Sequence, residues 1–103
     1  MTAEERTPVV LRRYPDGEII ALFPTLPAEE YGYNVTSYVH VGQHGAAEYN
    51  YVISNTRSTH PLDDPDAMAL FEELEKIGYR MLVYKRITNK HRAAFHAAQK
   101  ALR

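Results

Sequence analysis

Residues 18–24 read EIIALFP, and Ile19, Ile20, Ala21, Leu22 and Phe23 are apolar in unbroken succession. A strand with one wet face alternates apolar and polar residues, whereas this run offers an apolar side chain to both sides. The stretch therefore reads as a central strand of a sheet, buried on both faces. Upstream, PVVLRRY at 8–14 reads as a second strand. Pro15-Asp16-Gly17 between the two is a turn in which glycine is free to take a positive φ. Two strands joined by so short a turn make a β-hairpin.

Downstream, Pro24 and Pro27 are expected to end the central strand, leaving residues 24–33, PTLPAEEYGY, as a connecting loop. Residues 34–41, NVTSYVHV, alternate: Val35, Ser37, Val39 and Val41 take one face, Thr36, Tyr38 and His40 the other. The first set is the expected core face. Residues 46–55, AAEYNYVISN, fit both a strand and helical spacing, and a short helix is the preferred reading. The next element is clearer. Asp64 suits an N-cap, Pro65 the first helical position and Gly78 the stop. Between them Ala67, Met68, Leu70, Phe71, Leu74 and Ile77 recur at helical spacing, with Glu72, Glu73, Glu75 and Lys76 toward water. This helix, 65–77, is expected to bury Met68, Phe71 and Leu74 against the sheet.

Residues 79–87, YRMLVYKRI, return as a strand, with Met81, Val83 and Ile87 on one side. Thr88 can cap a last helix, 89–102, rich in alanine. Its apolar stripe is His91, Phe95, Ala98 and Leu102, while Arg92, His96, Gln99 and Arg103 line another face. The expected fold is α+β: a mainly antiparallel sheet of about four strands, near 8–14, 18–24, 34–41 and 79–87, with helix 65–77 packed on one face. Residues 1–87 form the core domain in this reading, and 88–103 are a C-terminal basic helical extension, an appendage to the core.

A chain of 103 residues is one domain with a modest core, and 45% hydrophobic with 24% charged residues argues against disorder. The absence of cysteine excludes disulfides, thiolate metal sites and cysteine nucleophiles. MTAEERTP at the N-terminus has no apolar core for a signal peptide, and no apolar run reaches the roughly 18 residues of a membrane span. No membrane contact is expected, and a cytoplasmic protein is the default. The net charge of −1 hides an asymmetry. Residues 1–78 hold all 13 acidic side chains and 5 basic ones, a balance of −8; residues 79–103 hold 7 basic side chains and no acid. Such a split marks either a polyanion-binding end or two halves that neutralise one another within the fold or in a homodimer.

Three pieces, IIALFP at 19–24, SYVHVGQHGAA at 37–47 and FEELEKIGYRMLV at 71–83, together resemble a family of small uncharacterised proteins that recur in bacterial, phage and plasmid genomes. The middle piece, with the pattern SYxHxGQHGxA, is the most specific, and the likeness spans about residues 9–86. The resemblance implies a compact portable cytoplasmic domain. It carries no known activity and hence no catalytic residue.

That middle piece holds the candidate chemistry. His40 and His44 on one straight strand would lie about 13 Å apart, too far for one ion, but glycines 42 and 45 permit a bend that brings them together. Zinc needs at least three protein ligands, and His60 is the available third. No cysteine or closely spaced acid completes a metal signature, so no metal and no cofactor is expected. Alternatively His40 or His44 acts as general base of a hydrolase or nuclease, with Gln43 and Tyr38 beside it. The structural alternative is a strand end whose glycines shape the turn and whose Gln43 and His44 hydrogen-bond it.

Eight tyrosines without a tryptophan are the other unusual count, and Tyr31, Tyr33, Tyr38, Tyr49 and Tyr51 fall around the loop and the glycine motif. They read as core-edge rings or as a contact surface for a protein or for stacked bases. Arg80, Lys85, Arg86, Lys90, Arg92, Lys100 and Arg103 form the candidate nucleic-acid surface, although no recognised DNA- or RNA-binding motif accompanies them. The leading functional expectation is a small non-enzymatic binding domain with an unidentified protein partner. Nucleic-acid binding through residues 80–103 is the alternative, and His-dependent hydrolysis the second.

Overall fold

The computed structural model describes residues 6–40 and 42–103. Strands β1 (Thr7–Arg13), β2 (Ile19–Pro27), β3 (Asn34–Val39) and β4 (Gln43–Glu48) form an antiparallel meander. Helix α1 (Tyr49–Asn55), the short strand β5 (Arg57–Ser58), helix α2 (Pro65–Ile77), strand β6 (Met81–Val83) and helix α3 (Asn89–Ala101) follow. The sheet order is β4-β3-β2-β1-β5, with β6 also against β1. The α+β expectation holds, with six strands instead of four and one parallel pairing, β1 with β6.

The first hairpin forms as its residues require. Gly17 takes φ +95°, its N–H donates to the Tyr14 carbonyl at 2.9 Å, and the Asp16 carboxylate accepts from the Glu18 N–H at 3.0 Å. Pro24 does not end β2. The strand continues to Pro27 across an irregularity, in which the pairing jumps from Phe23↔Thr36 to Pro27↔Val35. Prolines lack the N–H that a regular ladder would use, and the bulge accommodates them without ending the strand. The strand expected over 79–87 shortens to three residues. Thr7–Val9 pair with β6, but Arg12 and Arg13 on the same edge of β1 pair with β5, so the edge has no room for more of β6.

Side-chain alternation along β1 and β2 divides the core in two. Val9, Leu11, Ile19, Ala21 and Phe23 face α2, meeting Ala67, Leu70 and Leu74. Val10, Ile20 and Leu22 face the other way, meeting Val35, Val52 of α1 and Phe95 of α3. Two expectations are corrected here. Helix α2 starts and stops where its caps place it, but it buries Ala67, Leu70 and Leu74 fully, leaving Met68 and Phe71 half-buried. Helix α3 is no appendage. It packs on β2 and buries His91, Phe95 and Gln99. Residues 88–103 thus supply one of the two covering layers.

The strand expected over 34–41 ends at Val39, and β3 buries both faces. Val35 and Ser37 are covered on one side, yet Tyr38, on the face expected to be outer, is only 1% exposed. Val41 lies outside the described residues. Within 46–55 the preferred helix begins only at Tyr49, because Gln43–Glu48 pair with β3. No helix of the described residues is long and apolar enough to cross a membrane.

Candidate functional site

SYVHVGQHGAAE resolves into the end of β3, a tight turn and β4, with Val39 paired to Gln43 and Tyr38 to His44. Gly42 carries the turn at φ +75°, a conformation that costs glycine little. Gly45 lies in β4 with no positive φ. Its partner across the ladder is Ser37, and a Cβ placed on Gly45 would stand 3.4 Å from the Ser37 hydroxyl oxygen. Of the two glycines, then, only Gly42 bends the chain.

The Tyr38 hydroxyl is the hub of this turn. It accepts the Gly42 N–H at 2.7 Å and donates to Glu73 Oε2 of α2. The other Glu73 oxygen meets His40 Nδ1 at 3.0 Å. The His44 ring stands edge-on to Tyr38, with centroids 4.8 Å apart, and its Nε2 lies 3.0 Å from the Tyr79 hydroxyl. Tyr79 in turn stacks on Phe23 at 4.6 Å. One side chain thus closes the turn from within and ties it to α2. The bond to Glu73, followed by burial, pushes the Tyr38 phenol above its ordinary pKa.

Among the described residues His40 and His44 share no hydrogen bond or ring contact; each meets a different partner. Gln43 is exposed on β4. His60 sits in another loop, where its Nδ1 accepts the Leu62 N–H at 3.1 Å and its carbonyl accepts the Asp63 N–H. No group of three or more metal-ligating side chains occurs among the described residues. Glu73 and Tyr79 are parts of the network that spacing could not reveal: Glu73 falls in a run that reads as solvent-facing, and only the tertiary fold turns it onto the sheet. Tyr38→Phe should keep the ring packed but orphan the Gly42 N–H. Hydrogen exchange at that amide should then accelerate roughly tenfold, the equivalent of one ordinary hydrogen bond. Unchanged exchange would remove the phenol from the turn.

The charge asymmetry takes a definite spatial form. Helix α2 with Glu72, Glu73 and Glu75 covers one face of the sheet, and α3 covers the opposite one. The ion pairs among described residues are Arg13 with Asp64 and Asp66, and His40 with Glu73. None involves Arg80, Lys85, Arg86, Lys90, Arg92, Lys100 or Arg103, all of which are exposed. Among the described residues, then, no ion pair joins the acidic and basic halves.

The seven cations do not form one patch. Lys85 borders a hollow with Arg13 and Arg57, and Lys90 another with Arg6. Arg92, His96 and Lys100 follow one flank of α3 at helical spacing, and Arg103, just past its end, continues the row. That flank adjoins the loop between β2 and β3. Buried Gln99 donates to the Glu29 carbonyl at 3.3 Å and the Gly32 carbonyl at 2.8 Å, locking helix to loop. The Arg103 guanidinium stacks over the Tyr31 ring at 4.5 Å and donates to the Glu30 carbonyl. Tyr31 and Tyr33 are 64% and 73% exposed beside it, an arrangement that sequence alone suggested only as a clustering of tyrosines.

Between this flank, β2, β3 and the start of α1 lies a pocket of about 320 Å³. Pro24, Val35 and Phe95 give it apolar walls, and Tyr33, Glu48, Arg92 and His96 bring polar groups to it. Its residues come from five elements, β2, β3, β4, α1 and α3, and two loops, which is why no spacing in the sequence marks it.

Comparison with protein-family models, curated proteins and solved structures yields no match. The likeness drawn from residues 9–86 rests on its motifs alone.

Proposed function

We propose that the protein is a non-enzymatic binding domain whose working surface is the flank of α3 with the adjoining loop, and whose partner is single-stranded nucleic acid. The observation that carries this reading is the row Arg92, His96, Lys100 and Arg103, in no ion pair among the described residues and set beside exposed Tyr31 and Tyr33. Cations at this spacing follow a phosphate backbone, and exposed rings offer bases a stacking face regardless of sequence. The acidic helix lies behind the sheet, where it does not cancel the field of this flank at contact range.

Fluorescence anisotropy on labelled mixed-sequence strands of DNA and RNA tests it. Three or four neutralised phosphates predict a loss of affinity of roughly 20- to 50-fold between 50 and 200 mM salt. Replacing Arg92, Lys100 and Arg103 together by Gln should reduce binding and flatten that slope. No binding at 50 mM salt would overturn the proposal.

One observation favours a protein partner instead. Strand β4 is the sheet edge, paired to β3 on one side only, and its residues Gln43–Ala46 and Glu48 are exposed. An extended peptide can add to such an edge. A dimer through the acidic and basic halves has less support. These lie on opposite faces, so the contact would be head-to-tail, and it propagates unless the rotation happens to close.

A further inference from the structure

The 320 Å³ pocket has a chemistry of its own beyond the basic flank, and its size is at the lower end for small-molecule sites. Phe95 is 6% exposed and Val35 4%, so its apolar walls are fixed by the core. Glu48 divides its work. Its Oε2 accepts the Tyr51 N–H at 2.6 Å, holding the carboxylate in place, while its Oε1 has no hydrogen-bond partner among the described residues. The Asn50 amide beside it is likewise unpartnered. Arg92 and His96 border the same space, in no ion pair among the described residues. A ligand matching these groups has a planar apolar body, N–H donors on one edge and an anion on its other side.

The geometry points to a nucleobase carrying an amino group, seated in this pocket with its donor edge toward Glu48 and Asn50 and its 5′-phosphate toward Arg92 and His96. The inference rests on the single-strand reading, since it makes the pocket the seat of one unstacked base of the bound strand. A carboxylate accepts from the amino groups of cytosine, adenine and guanine. Uracil offers one N–H flanked by two carbonyl oxygens, which a carboxylate repels. The pocket is therefore expected to discriminate between bases that are otherwise the same size, something the flank alone cannot do.

Two-dimensional NMR titration of the whole chain with CMP, UMP and ribose 5-phosphate tests this without any strand. CMP should bind at least fivefold more tightly than UMP and tenfold more tightly than ribose 5-phosphate, with shifts at Tyr33, Asn50 and Phe95. Glu48→Gln keeps an oxygen for the Tyr51 N–H but adds an N–H₂ to the pocket, so it should bring CMP and UMP within twofold. Tyr33→Ala, at an exposed position, serves as a variant with no folding role. It should weaken CMP without altering the rest of the spectrum. Equal binding of all three ligands, or shifts confined to residues outside the pocket, overturns the inference. Strand binding that proceeds with no shift at Asn50 or Phe95 overturns it too, while leaving the flank intact. CMP selectivity in a protein that binds no strand supports the pocket and overturns the single-strand reading.

Discussion

Phe23→Ala is expected to lower the unfolding free energy by about 3–5 kcal/mol, the range for deleting a buried aromatic ring. The residue is fully buried at the middle of β2, the strand with most neighbours, and faces the side covered by α2. Its ring stacks on Tyr79 with an interplanar angle of 18°. The cavity left by truncation cannot collapse easily, because the neighbours on either side are strands in register: Phe23 itself pairs with Thr36, and β1 flanks it on the other edge. Tyr79 would also lose the ring that holds it in place opposite His44. Urea unfolding followed by tyrosine fluorescence measures the loss. A change below 1 kcal/mol would mean that the α2 face is loosely packed.

The layered arrangement was readable where apolar patterning and capping act together. EIIALFP is apolar without alternation, and the structure covers β2 on both faces as that requires. Asp64, Pro65 and Gly78 bound α2 because each suits one terminal position and few others. Helix α3 was harder to read for a definite reason. Two of its three buried residues, His91 and Gln99, are polar, and they are buried because the fold supplies partners. The His91 Nδ1 accepts the Thr88 N–H in a reciprocal cap, and Gln99 donates to carbonyls some 70 positions away in sequence. Hydrophobic periodicity does not detect such residues, so the helix looked too polar to be half of the cover.

The same reason explains the faces of β3 and the extent of β4. Tyr38 alternates with valines and by that pattern falls on the wetter side, yet Glu73 and the Gly42 N–H satisfy its hydroxyl and allow burial. Gln43, His44 and Gly45 have poor strand propensity but pair with β3 because the turn at Gly42 delivers them there. The candidate site was legible only in its ingredients. Basic residues and tyrosines stand out in the composition. Their separation into one flank with rings, and several scattered cations without, follows from which side of the sheet each element covers.

Replacing Asp64 should have the second largest effect on stability, because its two oxygens serve different parts of the fold. Oδ1 accepts the Asp66 N–H at 3.0 Å and the Ala67 N–H at 3.5 Å, capping α2. Oδ2 receives Arg13 Nη2 at 2.5 Å, Arg13 Nε at 3.1 Å and the Thr59 hydroxyl at 2.8 Å, tying the helix start to β1. Asp64→Ala loses the cap and the charged bonds together and should cost about 2–3 kcal/mol. The Arg13 bond first, then Thr59 and the helix amides, hold this carboxylate at about 2, against burial and below its ordinary 3.8. A depressed carboxylate stabilises the fold fully above its unfolded-state value and loses that contribution as the pH falls through the folded one. The window is therefore about pH 4 down to pH 2. Asp64→Asn keeps an oxygen for the cap but replaces Oδ2 by an N–H₂ that cannot accept from Arg13 or Thr59, so it removes the charge together with those bonds, and its deficit relative to the native chain should be constant near neutrality and shrink steadily across that window. Urea titrations of both chains at pH 7, 4, 3 and 2 would show the convergence. A deficit that stays the same down to pH 2 would mean that the carboxylate acts through its shape and not through its charge.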